Sequence, residues 1–321
     1  MAARAEAAAH LCVMLLVLPL LAGCATSLAA SGRVSSTAEG VCMLRAIAAK
    51  DPDPKIRNPD YLAERFVSEA YWRQSPYPND YARARAIIDR WGGPIYFFVN
   101  ARTHHMDRLL VEAVAGGATQ VVNLGAGFDS RAYRFRERFP HVRFFELDLP
   151  ATIKAKRERV IQILGAVPEG VTLVATDFNT QPLERVLRDA GYDATQRTFF
   201  IWEGVTMYLP EEANRATLRF IRSTAPGSAV VYDYLIDTAL RPDGGGFEGA
   251  RSAVEATAKQ GEPFIFGWSP AGAAAFAARE GLVVVSDLGP TELTERYLIR
   301  SDGRPDGRIA EFARILHVRV P

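Results

Sequence analysis

Cysteine is nearly missing: the 321-residue chain holds three, Cys12, Cys24 and Cys42, all ahead of residue 43. A disulfide-built scaffold and a thiolate zinc module are therefore excluded for everything downstream. A charge surplus is missing too, since 38 basic residues face 37 acidic ones for a net charge of +1. A dedicated nucleic-acid binder uses basic excess to displace counterions from phosphate, so no nucleic-acid partner is expected. The hydrolase signatures G-x-S-x-G and H-E-x-x-H do not occur. What is present is an ordinary globular balance, 48% hydrophobic and 23% charged, long enough to bury a core without covalent staples.

Residues 11–22, LCVMLLVLPLLA, form an uncharged apolar run that is shorter than the ~20 residues of a bilayer-spanning helix and is broken by Pro19. Its length suits a signal-peptide core. Leu21-Ala22-Gly23-Cys24 after it resembles a bacterial lipobox, whose cysteine receives a diacylglycerol. The expected organisation is a lipoprotein signal peptide over 1–24, a linker over 25–34 and one domain over 35–321, tethered to a membrane through Cys24. The weakly basic start, Arg4 against Glu6, argues instead for an unexported chain whose domain begins near Val34.

From 35 to about 72 apolar residues recur at helical spacing, with Val41, Leu44 and Ala48 expected on one buried face. An amphipathic helix over 103–115 should bury Met106, Leu109, Leu110 and Ala113. Then the period changes. Residues 120–124 are a short apolar run ending at a glycine, as a buried parallel strand does. Similar runs follow at 143–147, 171–176, 199–202, 229–232, 282–285 and 313–320, with helical stretches at 151–164, 183–190, 211–223 and 271–280. This alternation predicts a doubly wound α/β domain with a mostly parallel seven-stranded sheet and an N-terminal helical cap.

The first strand runs into Leu124-Gly125-Ala126-Gly127-Phe128-Asp129-Ser130. Gly125 and Gly127 allow a tight turn and a close approach of backbone to ligand, while Ser130 stands where a dinucleotide fingerprint has its third glycine. Asp148, at the end of the second strand, lies about 20 residues beyond, where such folds hold ribose hydroxyls. Glu146 on the same strand side competes with it, and a plain helix cap is the bland alternative. Asp177 and Phe178 end the third strand, where an acid can bond an adenine amino group. Glu203 ends the fourth, on the rim where ligands of open α/β sheets bind. Gly, Asp, Asp and Glu at four strand ends in order point to one shared ligand.

These motifs are NLGAGFDSRAYRF from Asn123, FELDLPATIKAKRE from Phe145, ATDFN from Ala175 and EGVTMYLP from Glu203. Together they resemble the leucine carboxyl methyltransferase family, and more closely its bacterial S-adenosyl-L-methionine-dependent O-methyltransferase branch. The likeness runs from about Thr37 to the C-terminus. It implies a Rossmann-like class I methyltransferase fold with an antiparallel last strand, and S-adenosyl-L-methionine as cofactor. By position it implies Gly125 along the methionyl part with Gly127 in the same loop, Asp148 on the ribose, Asp177 and Phe178 around the adenine, and Glu203 near the sulfonium and amino end. Arg102 matches the family's basic residue for the methionyl carboxylate; the bland alternative is a solvated arginine at a helix start. The family's eukaryotic members carry a Lys-Arg pair where this chain has Leu44-Arg45. That departure points away from a protein-phosphatase acceptor and toward another small-molecule or peptide acceptor.

Methyl transfer from a sulfonium is an in-line displacement governed by alignment and exclusion of water. A carboxylate acceptor needs no general base, whereas a hydroxyl does. His104, His105, Tyr208, Tyr232, Asp233 and Tyr234 are within sequence reach, and none is singled out as catalytic. The two histidines face different helix sides and lack a third ligand for a metal. The insertion 237–268, with Gly244-Gly245-Gly246, Phe247, Phe264 and Phe266, should help build the acceptor pocket, either as a glycine-hinged lid or as a surface loop. Two other functions compete. An NAD(P)-dependent reductase would want the third glycine and a Tyr-x-x-x-Lys pair, and neither occurs. A membrane-tethered, non-enzymatic binding protein gains from the lipobox, because the sulfonium donor is made in the cytoplasm.

Overall fold

The computed structural model describes residues 32–91, 93–178 and 180–321, so the apolar run, the lipobox and Cys24 lie outside the described residues. Seven strands, β1 (Gln120–Leu124), β2 (Arg143–Asp148), β3 (Val171–Ala175), β4 (Thr198–Trp202), β5 (Ala229–Leu235), β6 (Val283–Leu288) and β7 (Ala313–Arg319), form one sheet. Their order is β3-β2-β1-β4-β5-β7-β6. β1 to β5 pair in parallel, and β7 runs antiparallel between β5 and β6. The expected architecture, including the antiparallel last strand, is the observed one.

The central strands are buried on both faces, which is why they read as unbroken apolar runs. Val122 sits between Phe145 on β2 and Phe200 on β4, all three fully buried. Truncating either phenylalanine to alanine removes about 3–5 kcal/mol. Residue alternation sends neighbours to two separate cores. Val121, Phe144, Phe199 and Val231 join the helices Ser36–Ala48, Pro94–Ala115 and Pro290–Tyr297 on one face. Phe145, Phe200, Tyr232 and Tyr234 join Leu183–Asp189, Glu211–Arg222 and Pro270–Arg279 on the other.

Helix starts follow local chemistry. The Ser35 hydroxyl accepts the Ala38 amide to cap Ser36–Ala48, and Pro150 opens Pro150–Leu164 at a position whose N–H has no intrahelical partner. Four expectations need correction. The first helix buries Cys42, Met43, Ala46 and Ile47 against its helical neighbours Ala63–Phe66 and Pro94–Ala115, while Leu44 and the cavity-facing Val41 are half-buried. The helix expected from 103 begins at Pro94, so Arg102 is a buried mid-helix residue rather than a solvated helix-start one, and Ala113 is half-buried. β5 runs on to Leu235 because 232–235 pair with β7. The insertion carries its own helix, Ala250–Lys259.

Candidate active site

The strand order reverses between β1 and β4, and that switch leaves a crevice at the carboxyl ends of the strands. A cavity of about 500 Å³ fills it, within the roughly 300–1,000 Å³ typical of small-molecule sites. Arg102, Gly125, Gly127, Asp148, Asp177, Phe178 and Glu203 all line this one cavity. The strand ends and one helix thus bring together the seven residues that the resemblance assigns to the cofactor.

The glycine loop is shaped by necessity. Gly125 has φ +72° and a Cβ there would collide with the Val205 side chain, and Gly127 has φ +42°. Asp148 holds the loop from the side. One carboxylate oxygen accepts the Gly127 amide at 2.7 Å and the other accepts the Leu149 amide at 2.7 Å. Burial pushes its pKa up, and the two amides with Lys156 only partly offset that. Glu146, the competing acid, is not on the cavity. It is fully buried beneath the loop, paired with Lys156 at 2.7 Å and accepting the Tyr133 hydroxyl at 2.5 Å. Lys156 also donates to the Ala126 carbonyl at 3.2 Å, so this pair braces the glycine turn.

Arg102 and Glu203 belong to a buried chain of alternating charge. Arg102 reaches Glu203 at 2.9 Å and Asp233 at 2.5 Å. Arg131 takes the other Glu203 oxygen at 2.7 Å and Asp107 at 2.7 Å. Arg134 continues from Asp107 to Asp60, and Asp60 meets Arg45 at 2.9 Å. Burial raises the Glu203 pKa, but Arg102 and Arg131 outweigh it and hold the carboxyl below its usual range. The Nε of Arg102 is buried without a hydrogen-bond partner among the described residues. Asp177 and Phe178 are half-buried; the Asp177 carbonyl accepts the Gln181 amide at 3.0 Å, and Phe178 packs toward the second core.

The sequence offers Asp233 together with Tyr232 and Tyr234, but of the three only Asp233 lines the cavity, where its carboxylate also accepts the Gly204 amide at 2.6 Å. The signal was the strand period: Val231, Asp233 and Leu235 share one side of β5, and Tyr232 and Tyr234 share the other. The two tyrosines accordingly lie in the opposite core, outside the cavity. Neither histidine lines it either. The His105 Nδ1 meets the Tyr297 hydroxyl at 2.8 Å, and the His104 ring stacks on Tyr297. Tyr208 does line the cavity, with Phe264 beside it at 5.2 Å between ring centroids. From the insertion, 261–265 reach the cavity, whereas Phe247 packs on Phe312 and Phe266 on Trp268.

The profile of leucine carboxyl methyltransferases matches residues 38–222, more than half of the sequence. The chain belongs to the leucine carboxyl methyltransferase family. A relative of this family member in Streptomyces coelicolor, classed among S-adenosyl-L-methionine-dependent methyltransferases, is 37% identical over 199 residues, covering 61% of this chain and 67% of the relative. A relative in Mycolicibacterium smegmatis, classed likewise, is 34% identical over 221 residues, covering 66% of this chain and 70% of the relative. A solved DUF574 family protein of Streptomyces avermitilis shares the fold, with a TM-score of 0.55 at 18% identity over 87% of this chain and 97% of that one. This leucine carboxyl methyltransferase family member is an S-adenosyl-L-methionine-dependent enzyme. Nothing in these likenesses supports a reductase or a non-enzymatic binding protein.

Proposed function

We propose that the enzyme methylates a carboxylate or hydroxyl oxygen of a small acceptor with an apolar body. The observation that carries this reading is one shared cavity lined both by glycines and acids from the strand ends and by Ile95, Phe98, Met207, Phe264 and Ile265. Bound S-adenosyl-L-methionine supplies an electrophilic methyl on a sulfonium with a neutral thioether leaving group. The residues present fit that donor. Gly125 and Gly127 let the backbone come close where a Cβ would obstruct. Asp148 keeps lone pairs beyond its two amide bonds and accepts the ribose hydroxyls, a charge-assisted contact. Asp177 and Phe178 flank the adenine. Arg102 lines the cavity for the methionyl carboxylate, and Glu203 serves the amino and sulfonium end.

The chain's own contribution is alignment and dryness. The buried charge chain fixes Arg102 and Glu203 in place, and the apolar wall excludes water from the reacting oxygen. Burial pushes the Tyr208 phenol above its usual range, so it offers an O–H rather than a base. A carboxylate acceptor, already ionised at neutral pH, needs none. Incubation with methyl-labelled donor and a panel of carboxylic acids and phenols tests the reading: labelled ester or ether supports it, and no transfer to any member contradicts it. Tethering through Cys24 is a separate proposal that rests on the lipobox sequence. Palmitate labelling in a bacterial host that disappears in Cys24→Ala supports it, and an unlabelled wild type rejects it.

A further inference from the structure

We infer that Glu262 organises an acceptor subsite selective for an apolar body carrying no anionic group beyond the reacting oxygen; this rests on the methyltransferase reading above. Glu262 comes from the insertion, lines the cavity and is 7% exposed. Its partners among the described residues are all neutral donors. The carboxylate accepts the Ser35 hydroxyl at 2.9 Å, the Ser36 amide at 2.9 Å, the Ser36 hydroxyl at 3.3 Å, the Thr37 amide at 3.3 Å and the Thr37 hydroxyl. These donors belong to the cap and first turn of Ser36–Ala48, where free amides and the helix dipole stabilise a negative charge without cancelling it. Gln260 adds to the clasp by accepting the Ser36 hydroxyl at 3.1 Å.

The residues after Glu262 are the cavity wall. Phe264 packs on Tyr208, and the Ile265 amide donates to the Met207 carbonyl at 2.8 Å. One carboxylate therefore fastens the insertion to the first helix, sets the Tyr208–Phe264 wall and fixes the sign of the field beside it. Among the described residues, the cationic side chains on the cavity are Arg45 and Arg102, and both are committed elsewhere. Arg102 holds Glu203 and Asp233, while Arg45 holds Asp60 and donates to the Phe128 carbonyl at 2.8 Å. A second anion on the acceptor would meet Glu262 with no cation to answer it, whereas a ring or branched chain meets Tyr208, Phe264 and Ile265.

Calorimetry on protein saturated with S-adenosyl-L-homocysteine tests this with 2-naphthol and 6-hydroxynaphthalene-2-sulfonate. Wild type is expected to bind 2-naphthol about tenfold or more tightly than the sulfonate. Glu262→Gln, similar in size, is expected to shrink that ratio to about twofold, and Phe264→Ala to weaken 2-naphthol about tenfold, both with homocysteine-ligand affinity within about twofold of wild type. Equal affinities in wild type overturn the selectivity. An unchanged ratio in Glu262→Gln overturns the role of Glu262. Failure of wild type to bind S-adenosyl-L-homocysteine at the first step overturns the proposed donor site instead.

Discussion

Asp148→Asn separates binding from stability at a single atom. The substitution keeps the side chain's shape but turns one acceptor oxygen into an amide donor facing a backbone N–H, since the native oxygens take the Gly127 and Leu149 amides. Loss of charge-assisted bonds to the ribose is worth about 1–3 kcal/mol, or roughly a 5- to 150-fold weaker Kd. Stability should move differently. Burial lifts the Asp148 pKa above 3.8, so the folded protein holds this proton more tightly than the unfolded chain does. The ionised carboxylate therefore costs stability at pH values above its folded pKa, and that cost is relieved as pH falls through it. At pH 7 the neutral asparagine removes the same cost. Titration calorimetry with S-adenosyl-L-homocysteine and scanning calorimetry of the free protein read both quantities. The relieved charge burial offsets the bond lost to the facing N–H, so the expected result is weakened binding with a melting temperature within about 4 °C of wild type. A Kd within about twofold of wild type, or a melting temperature that falls in step with affinity, refutes the reasoning.

Three other substitutions or conditions probe the same frame. Arg102→Ala leaves Asp233 buried without its cation and Glu203 with Arg131 alone, and should cost about 3–5 kcal/mol in urea unfolding; a loss under about 1 kcal/mol would show that the charge chain is not coupled there. Gly125→Ala places a Cβ against Val205 at φ +72° and should abolish donor binding; Val205→Ala relieves the contact but not the backbone strain, so full rescue in the double variant contradicts the account. Burial pushes His105 down to about 3 and His317 down to about 4, so both stay neutral when folded while the unfolded chain takes up protons below about 6.5. Stability should then fall as pH drops from about 6.5 toward 4, by about 1.4 kcal/mol per pH unit for each histidine. A urea midpoint unchanged between pH 7 and pH 5 would argue against both.

Much of the fold was legible because the central strands are buried on both sides. An apolar run has one meaning in such a sheet, and the punctuating glycines and prolines mark its ends. The rim acids were legible for a related reason, since a carboxylate after an apolar strand has few structural uses. What stayed hidden depends on contacts distant in sequence. Glu146 and Asp148 lie two residues apart on one strand, and only the position of Lys156 tells the bracing acid from the cavity acid. Arg102 could be matched by position, but its ties to β4 and β5 close across 101 and 131 residues. Asp233 is offered together with its neighbours Tyr232 and Tyr234, and only strand alternation, which sends them to the opposite face, separates them. The helix Ala250–Lys259 follows a glycine-rich run and is short and alanine-rich, so its weak apolar stripe reads as loop. Glu262 carried no local signal at all, because its meaning comes from a helix start more than 220 residues away.

The most direct test of the central claim is a crystal structure of the enzyme with S-adenosyl-L-homocysteine. The account predicts the ligand inside the cavity between the Gly125–Gly127 turn and Glu203, its ribose on Asp148 and its adenine beside Asp177 and Phe178. Ligand density anywhere else, or a ribose held by other side chains with Asp148 still closed on its two amides, would contradict it.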